Sequence, residues 1–230
     1  MKKKILLGFT TTSGSDYKKK LEEIEEMGIK EAAFFLTGLD LKRRKELYGL
    51  LERSSLEEAP HIHMRNDMEK WEVDFLEKRF NVQAYNIHDK NSLHPFENCK
   101  DKFLEYAEKI FIENTETIPE KDELKELGGL CIDFSHWQDN FLKGEKDHYQ
   151  KILNLIKKFP IGCSHISAVQ NKLNEFGSFA KHSFRNLREF DYMVNFVNFL
   201  PDLVSLELEN SFQEQMKVKR YLEKNLEGKV

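Results

Sequence analysis

Apolar side chains fall along this chain in two patterns that alternate. Short runs of branched and aromatic residues, such as KILLGF, AAFFLT, IFIEN, LCIDFSH and VSLELEN, have the length and character of buried strands. Between them lie charged stretches in which apolar residues return every three or four positions. YKKKLEEIEEM and YQKILNLIKKF show this spacing, which marks a helix with one apolar stripe. Reading for period predicts strands over residues 4–9, 32–37, 60–64, 82–88, 109–113, 130–134, 160–165 and 203–209. Helices are predicted over 17–27, 41–53, 68–79, 96–108, 147–159, 184–199 and 213–226, with a shorter one over 120–127.

Strand and helix that alternate through short connections imply parallel strands and right-handed crossovers. Eight such units favour a closed (β/α)8 barrel over an open doubly wound sheet. The 230 residues fit one barrel, and no linker rich in Pro, Gly or Ser interrupts them, so residues 1–230 read as one domain. The longest loops are expected at 137–146, after the sixth strand, and at 166–183, after the seventh.

Composition narrows the function classes. Apolar residues make up 40% and charged residues 33%, as in a soluble protein with strongly charged outer helices. A formal net charge of −4 provides no global footprint for a nucleic-acid backbone. The apolar run after MKKK is too short for a signal-peptide core, and no segment has the length of a membrane span. Cys99, Cys131 and Cys163 are far apart and form no CxxC pair, so neither a disulfide framework nor a thiolate zinc site is expected. Cys131 and Cys163 lie in apolar runs and read as buried, inert thiols in a cytoplasmic protein.

The candidate chemistry lies at the strand ends. In a parallel barrel the functional groups sit at the C-terminal ends of the strands. The third strand carries His61 and His63, the fourth ends at His88, and the fifth ends at Glu113. The sixth ends at Asp133 with His136 just beyond, the seventh at His165, and the eighth carries Glu207 and Glu209. Side chains two apart on a strand share a face, so one member of His61/His63 and one of Glu207/Glu209 lies nearer the mouth. Taken singly these residues have plain structural readings: His61 as a hydrogen-bonded core residue, Asp133 as a cap, Glu209 as the partner of a lysine. Jointly, buried carboxylates and an imidazole converging on one end are costly unless something pairs with them. Three carboxylates and an imidazole suit a divalent ion such as Mn, Mg, Co or Zn. His94 and His148 are expected to be solvated surface residues.

IENTE, CIDFSHW, GCSHISA and the glutamate-rich last strand resemble the xylose-isomerase-like TIM barrels, over nearly the whole chain. That superfamily includes sugar and sugar-phosphate isomerases and epimerases and the endonuclease IV type of apurinic-site nuclease. The resemblance implies Glu113, Asp133, His165 and Glu207 as shared metal ligands, with Glu209 just beyond. On the isomerase/epimerase reading, Glu113 and Glu207 also move the proton at the sugar carbon. His88 and His136 then bind substrate hydroxyls, and Lys181, His182 and Arg185 either hold a phosphate or carboxylate or form a solvated basic loop. On the nuclease reading, His63, His88, Glu113, Asp133, His136, His165 and Glu207 resemble most of the zinc ligands. Those nucleases carry an Asp-Arg-His motif after the seventh strand, where this chain has AKHS around His182 and no aspartate. The departure, the acidic charge and the short chain favour the isomerase or epimerase acting on a small sugar or sugar phosphate, with nucleic acid disfavoured. A third reading is a barrel that binds a ligand without converting it.

Overall fold

The computed structural model describes residues 3–92 and 102–226. The first apolar run forms not one strand but two pieces of one stave, β1 (Lys4–Leu6) and β2 (Gly8–Thr10), broken at Leu7. The rest of the sheet is β3 (Ala33–Phe35), β4 (His61–His63), β5 (Ala84–His88), β6 (Ile110–Glu113), β7 (Gly129–Asp133), β8 (Ile161–Ile166) and β11 (Leu203–Leu206). They pair in the order β1-β11-β8-β7-β6-β5-β4-β3-β2, and every pairing in this sheet is parallel. Because its two end members are consecutive pieces of one stave, the sheet closes on itself. The result is the eight-stave parallel barrel that the alternating pattern predicts.

Gly8 makes the closure sterically feasible. A Cβ there would lie 1.7 Å from the carbonyl oxygen of Leu206, so the backbones approach at a distance only glycine permits. Two side chains then satisfy the polar groups of the seam. Lys20 Nζ donates to Leu208 O at 2.7 Å, Thr10 Oγ1 at 2.8 Å and Gly8 O at 3.2 Å. Gln215 accepts from Gly8 N at 2.7 Å and donates to Gly8 O at 2.9 Å and Leu208 O at 3.0 Å.

The helices α1 (Tyr17–Met27), α2 (Leu41–Leu51), α3 (Lys70–Phe80), α4 (Lys121–Lys125), α5 (Phe134–Leu142), α6 (Lys146–Ile156) and α7 (Phe212–Leu226) follow the strands. Their starts are set by local chemistry: Asp16 accepts from Lys19 N, Asp40 accepts from Arg43 N, and Glu69 with Glu72 forms a capping box. Helix α1 ends at Gly28 in the left-handed conformation, φ 62°. Alternation along the strands divides the apolar residues into two cores. Outward residues such as Ile62, Ile87, Ile112, Ile132 and Val204 pack under the helices. Inward residues Leu6, Ala33, Phe35, Ala84, Cys131, Cys163 and Leu203 form a separate plug inside the barrel. Polar residues occupy the barrel above this plug.

Four further expectations differ from the structure. The loop expected at 137–146 is mostly α5, which begins directly after Asp133, because the Asp133 carboxylate accepts from Ser135 N and His136 N. His148 is buried, not solvated, and its ring nitrogens lie 3.1 and 3.2 Å from Asn140 Nδ2. The helix expected over 184–199 is a 3-10 helix over Leu187–Phe199. Of the helix expected over 96–108, the described part is a 3-10 segment, Leu104–Lys109. His94 and Cys99 lie outside the described residues. Among the described residues, no helix is long and apolar enough to cross a membrane.

Candidate metal centre

Strand register brings the charged strand ends to one level. Cross-strand partners are His63 with Asn86, His88 with Glu113, Asp133 with His165, and Ser205 with His165. Glu207 follows β11 directly, and its N–H bonds Ile166 O at 3.0 Å. The side chains converge above the apolar plug. Glu113 Oε2 lies 3.1 Å from both His63 Nε2 and His165 Nε2. His165 Nδ1 lies 3.0 Å from Glu207 Oε2 and 3.4 Å from Asp133 Oδ2. His88 Nε2 is 3.2 Å from His63 Nε2 and 3.9 Å from Glu113 Oε1. His136 Nε2 lies 3.7 Å from Asp133 Oδ2, and His182 Nε2 3.6 Å from Glu207 Oε2.

Asp133 divides its carboxylate between two tasks. Oδ1 caps α5, accepting from Ser135 N, Ser135 Oγ and His136 N. Asn114 fixes the backbone of Asp133, accepting from its N–H at 2.9 Å and donating to its carbonyl at 3.0 Å. Oδ2 is thereby left facing the cluster.

The cluster has the character of an ion site. Asp133 Oδ2, His136 Nδ1 and both ring nitrogens of His165 are buried without a hydrogen-bond partner. The donors form triads whose ligand atoms lie within 4.8 Å of one another: His63/His88/Glu113, Glu113/Asp133/His136 and Asp133/His165/Glu207. The first and last share no residue. A mixed imidazole and carboxylate set of this kind fits a divalent cation.

Electrostatics agree. Burial opposes charge on His165, yet the carboxylates of Glu113, Asp133 and Glu207 outweigh it and hold the imidazolium well above the usual range. For His63, burial likewise opposes charge and Glu113 prevails, raising its pKa. Burial also opposes ionisation of Glu113, but His165 and His88 keep it well below the carboxylate range. Glu207 is depressed in the same way, with His182 and His165 overcoming the burial cost. Divalent metal binding at these imidazoles and carboxylates would compete with protons.

Above the cluster opens a cavity of about 380 Å³. His63, His88, Glu113, His136, His182 and Glu207 form its floor and sides, and Thr37, Asn91, Ser92, Thr115, Glu116 and Thr117 line the rest. Among its described lining residues there is no lysine or arginine. Lys181 lies half-buried on the short strand β10 (Ala180–Lys181), which pairs with β9 (Ala168–Val169), and Arg185 is exposed. Glu209 lies beside the cluster, not in it, and accepts from Thr12 Oγ1 at 2.7 Å. His61 sits one layer below, between Ser205 Oγ and Asn86 Oδ1.

Sequence reading singled out neither Asn86 nor Ser205, and it saw Asn114 only within a motif. The signal was present for the first two. Asn86 lies two residues before His88 and Ser205 two before Glu207, so each shares a face with a candidate ligand.

Fold and side chains together define a parallel (β/α)8 barrel with a carboxylate–imidazole cluster at the C-terminal mouth. No family model matches the chain, and no curated protein does either. A solved structure similar to it is the crystal structure of AP endonuclease, family 2, from Brucella melitensis. The identity is 12%, the coverage 96% of this chain and 97% of that one, and the TM-score 0.45. A likeness this distant leaves the strand order and the cluster distances above as the description of this chain.

Proposed function

We propose that the chain is a divalent-metal-dependent hydrolase of small phosphate esters, with two adjacent cation positions. The observation that carries this reading is the pair of separate donor triads, His63/His88/Glu113 and Asp133/His165/Glu207, joined by the 3.1 Å contact of Glu113 with His165. A mononuclear site needs only the second triad and Glu113 and leaves His63 and His88 to the substrate, whereas a second ion takes both as ligands. Two divalent ions, when bound, supply Lewis-acid stabilisation of a transferring phosphoryl group and a nucleophilic water at neutral pH. Glu113 stands between the triads and serves both. The remaining residues shape the substrate. Thr37, Asn91, Ser92, Thr115 and Thr117 offer hydrogen bonds to hydroxyl groups, and the cavity of about 380 Å³ suits a small polyhydroxylated molecule. The absence of Lys and Arg among the described lining residues, with a net charge of −4, disfavours a nucleic-acid duplex.

The isomerase or epimerase is the second reading, and a specific observation favours it. Glu113 Oε2 and Glu207 Oε2 flank His165 from two sides, at 3.1 and 3.0 Å, beneath a hydroxyl-lined cavity. That arrangement supports a reading in which the two carboxylates take and return a proton at a sugar carbon.

Metal counting with activity separates the two. The hydrolase reading expects two equivalents of zinc, manganese or cobalt per chain and metal-dependent cleavage of small aryl phosphate esters. One equivalent, with solvent deuterium exchanged into a ketose panel and no ester cleavage, would establish the isomerase instead.

A further inference from the structure

Below the ligand layer runs a chain of buried polar side chains joined by hydrogen bonds. Glu113 Oε2 can only accept, so Asn86 Nδ2 is the donor at 2.7 Å. This fixes the amide and aims Asn86 Oδ1 at His61 Nε2, 2.9 Å away. The carbonyl oxygen can only accept, so His61 carries a proton on Nε2. In the neutral ring its Nδ1 then accepts from Ser205 Oγ–H at 2.7 Å. The series Ser205–His61–Asn86–Glu113 crosses the barrel interior from β11 to β6 by way of β4 and β5. Ser205, His61 and Asn86 are all fully buried.

Its position is informative. Beside them pack the apolar residues of the plug, among them Phe35, whose ring centroid lies 6.1 Å from that of His61. An apolar side chain at 61, 86 or 205 would continue that plug without the cost of desolvating polar groups. These three are polar, and each makes a directed bond toward Glu113. Buried partners of this kind orient metal ligands and tune their basicity, and their loss commonly lowers metal affinity.

We propose that Asn86, His61 and Ser205 are positioning residues that hold the Glu113 carboxylate in the rotamer that faces both donor triads; this rests on the metal-site reading above. Asn86 acts on Glu113 directly, and His61 and Ser205 act by fixing the Asn86 amide. Oε2 is thereby pinned toward His63 and His165, and Oε1 is left on the His88 side.

The test uses the full chain loaded with cobalt, as wild type, Ser205→Ala, Ser205→Thr and Asn86→Leu. Three quantities are read: thermal unfolding of the metal-free protein, cobalt affinity by chelator competition, and the visible ligand-field spectrum. The expected result is a folded metal-free protein in each case, with cobalt bound about 10- to 100-fold more weakly in Asn86→Leu and a shifted spectrum. Ser205→Ala should move both quantities in the same direction by less, and Ser205→Thr, which keeps the hydroxyl, should restore the wild-type spectrum. Folded variants with wild-type affinity and spectrum would overturn the positioning role alone. A wild-type chain that takes up no cobalt, zinc or manganese would overturn the metal-site reading, and this role with it.

Discussion

The Nε2 atoms of His63 and His88 face each other at 3.2 Å beside the Glu113 carboxylate. His63 Nδ1 donates to Met64 O at 2.8 Å, so the neutral ring presents a lone pair at Nε2. Two imidazole lone pairs at this distance repel unless a proton or a cation lies between them. Burial pulls His88 below its ordinary range against the attraction of Glu113, whereas Glu113 raises His63 against its burial. His88→Ala should therefore reduce bound divalent metal from two equivalents to one, and leave the metal-free protein at least as stable as wild type. Elemental analysis of the dialysed protein and thermal unfolding of the chelator-treated one measure the two effects. Two full equivalents in the variant would mean that His88 binds no ion.

Eight strands and their order around the barrel were legible because each was a short apolar run ending at a turn, set between charged stretches with helical spacing. The convergence of charged strand ends followed from that placement, since parallel register carries them to one end, but which of His61 and His63, and of Glu207 and Glu209, faces the cluster did not. What stayed hidden had physical causes. Helix α5 read as a loop because Gln138, Asp139 and Asn140 are polar, yet all three are buried. Asp139 accepts from Phe179 N at 2.6 Å and Asn140 meets His148, so their polarity serves contacts that no local period reveals. The break at Leu7 was equally hidden, because closure of a sheet is decided by a strand nearly 200 residues away.

Arg44 on α2 is fully buried and makes two bonds to Glu72 on α3, at 2.8 and 3.0 Å, with Tyr48 Oη adding a third bond to the same carboxylate at 2.9 Å. Removing Arg44 strands the Glu72 carboxylate in a dry interior, at a cost of about 3–5 kcal/mol, whereas removing Glu72 leaves Arg44 paired with Asp67 Oδ1 at 3.2 Å. Arg44→Met should lose about that much in urea unfolding, and Glu72→Met less. The double variant should recover most of it, because no buried charge is left over. Additive losses in the double variant would show that the pair is not electrostatically coupled.

Lys20 gives stability a pH dependence of known sign. Burial lowers its pKa to about 7, from 10.5, despite its three acceptors at the barrel seam. Between those values the unfolded chain binds more protons than the folded one, so stability rises with pH across the window. Below pH 7 both states are protonated, and the penalty of burying the charge is fully present. Lys20→Met removes this dependence and leaves Gly8 O and Leu208 O still bonded by Gln215. The difference in unfolding free energy, wild type minus variant, should climb by a few kcal/mol from pH 7 to pH 10 (at about 1.4 kcal/mol per pKa unit). A flat difference would show that Lys20 keeps an ordinary pKa.

One substitution, Gly to Ala, should act with opposite signs at two sites. At Gly49, inside α2, the new Cβ would approach no atom closer than Arg53 Nη1 at 4.0 Å. A helical alanine there should add about 0.5–1 kcal/mol, since it reduces the freedom of the unfolded chain and favours the helix. At Gly8 the same methyl would lie 1.7 Å from Leu206 O and 2.9 Å from Leu206 C. Both are backbone atoms of the closing strand, so no side-chain rotation relieves the overlap. The seam must open, and with it the pairing of β1 to β11 that makes the sheet a barrel. Gly8→Ala should exceed the usual overpacking cost of about 1–3 kcal/mol. Fast amide exchange is then expected in both β1 and β11, while β5 and β6 stay protected. Wild-type exchange at the seam in a stable Gly8→Ala protein would mean that closure does not depend on this contact.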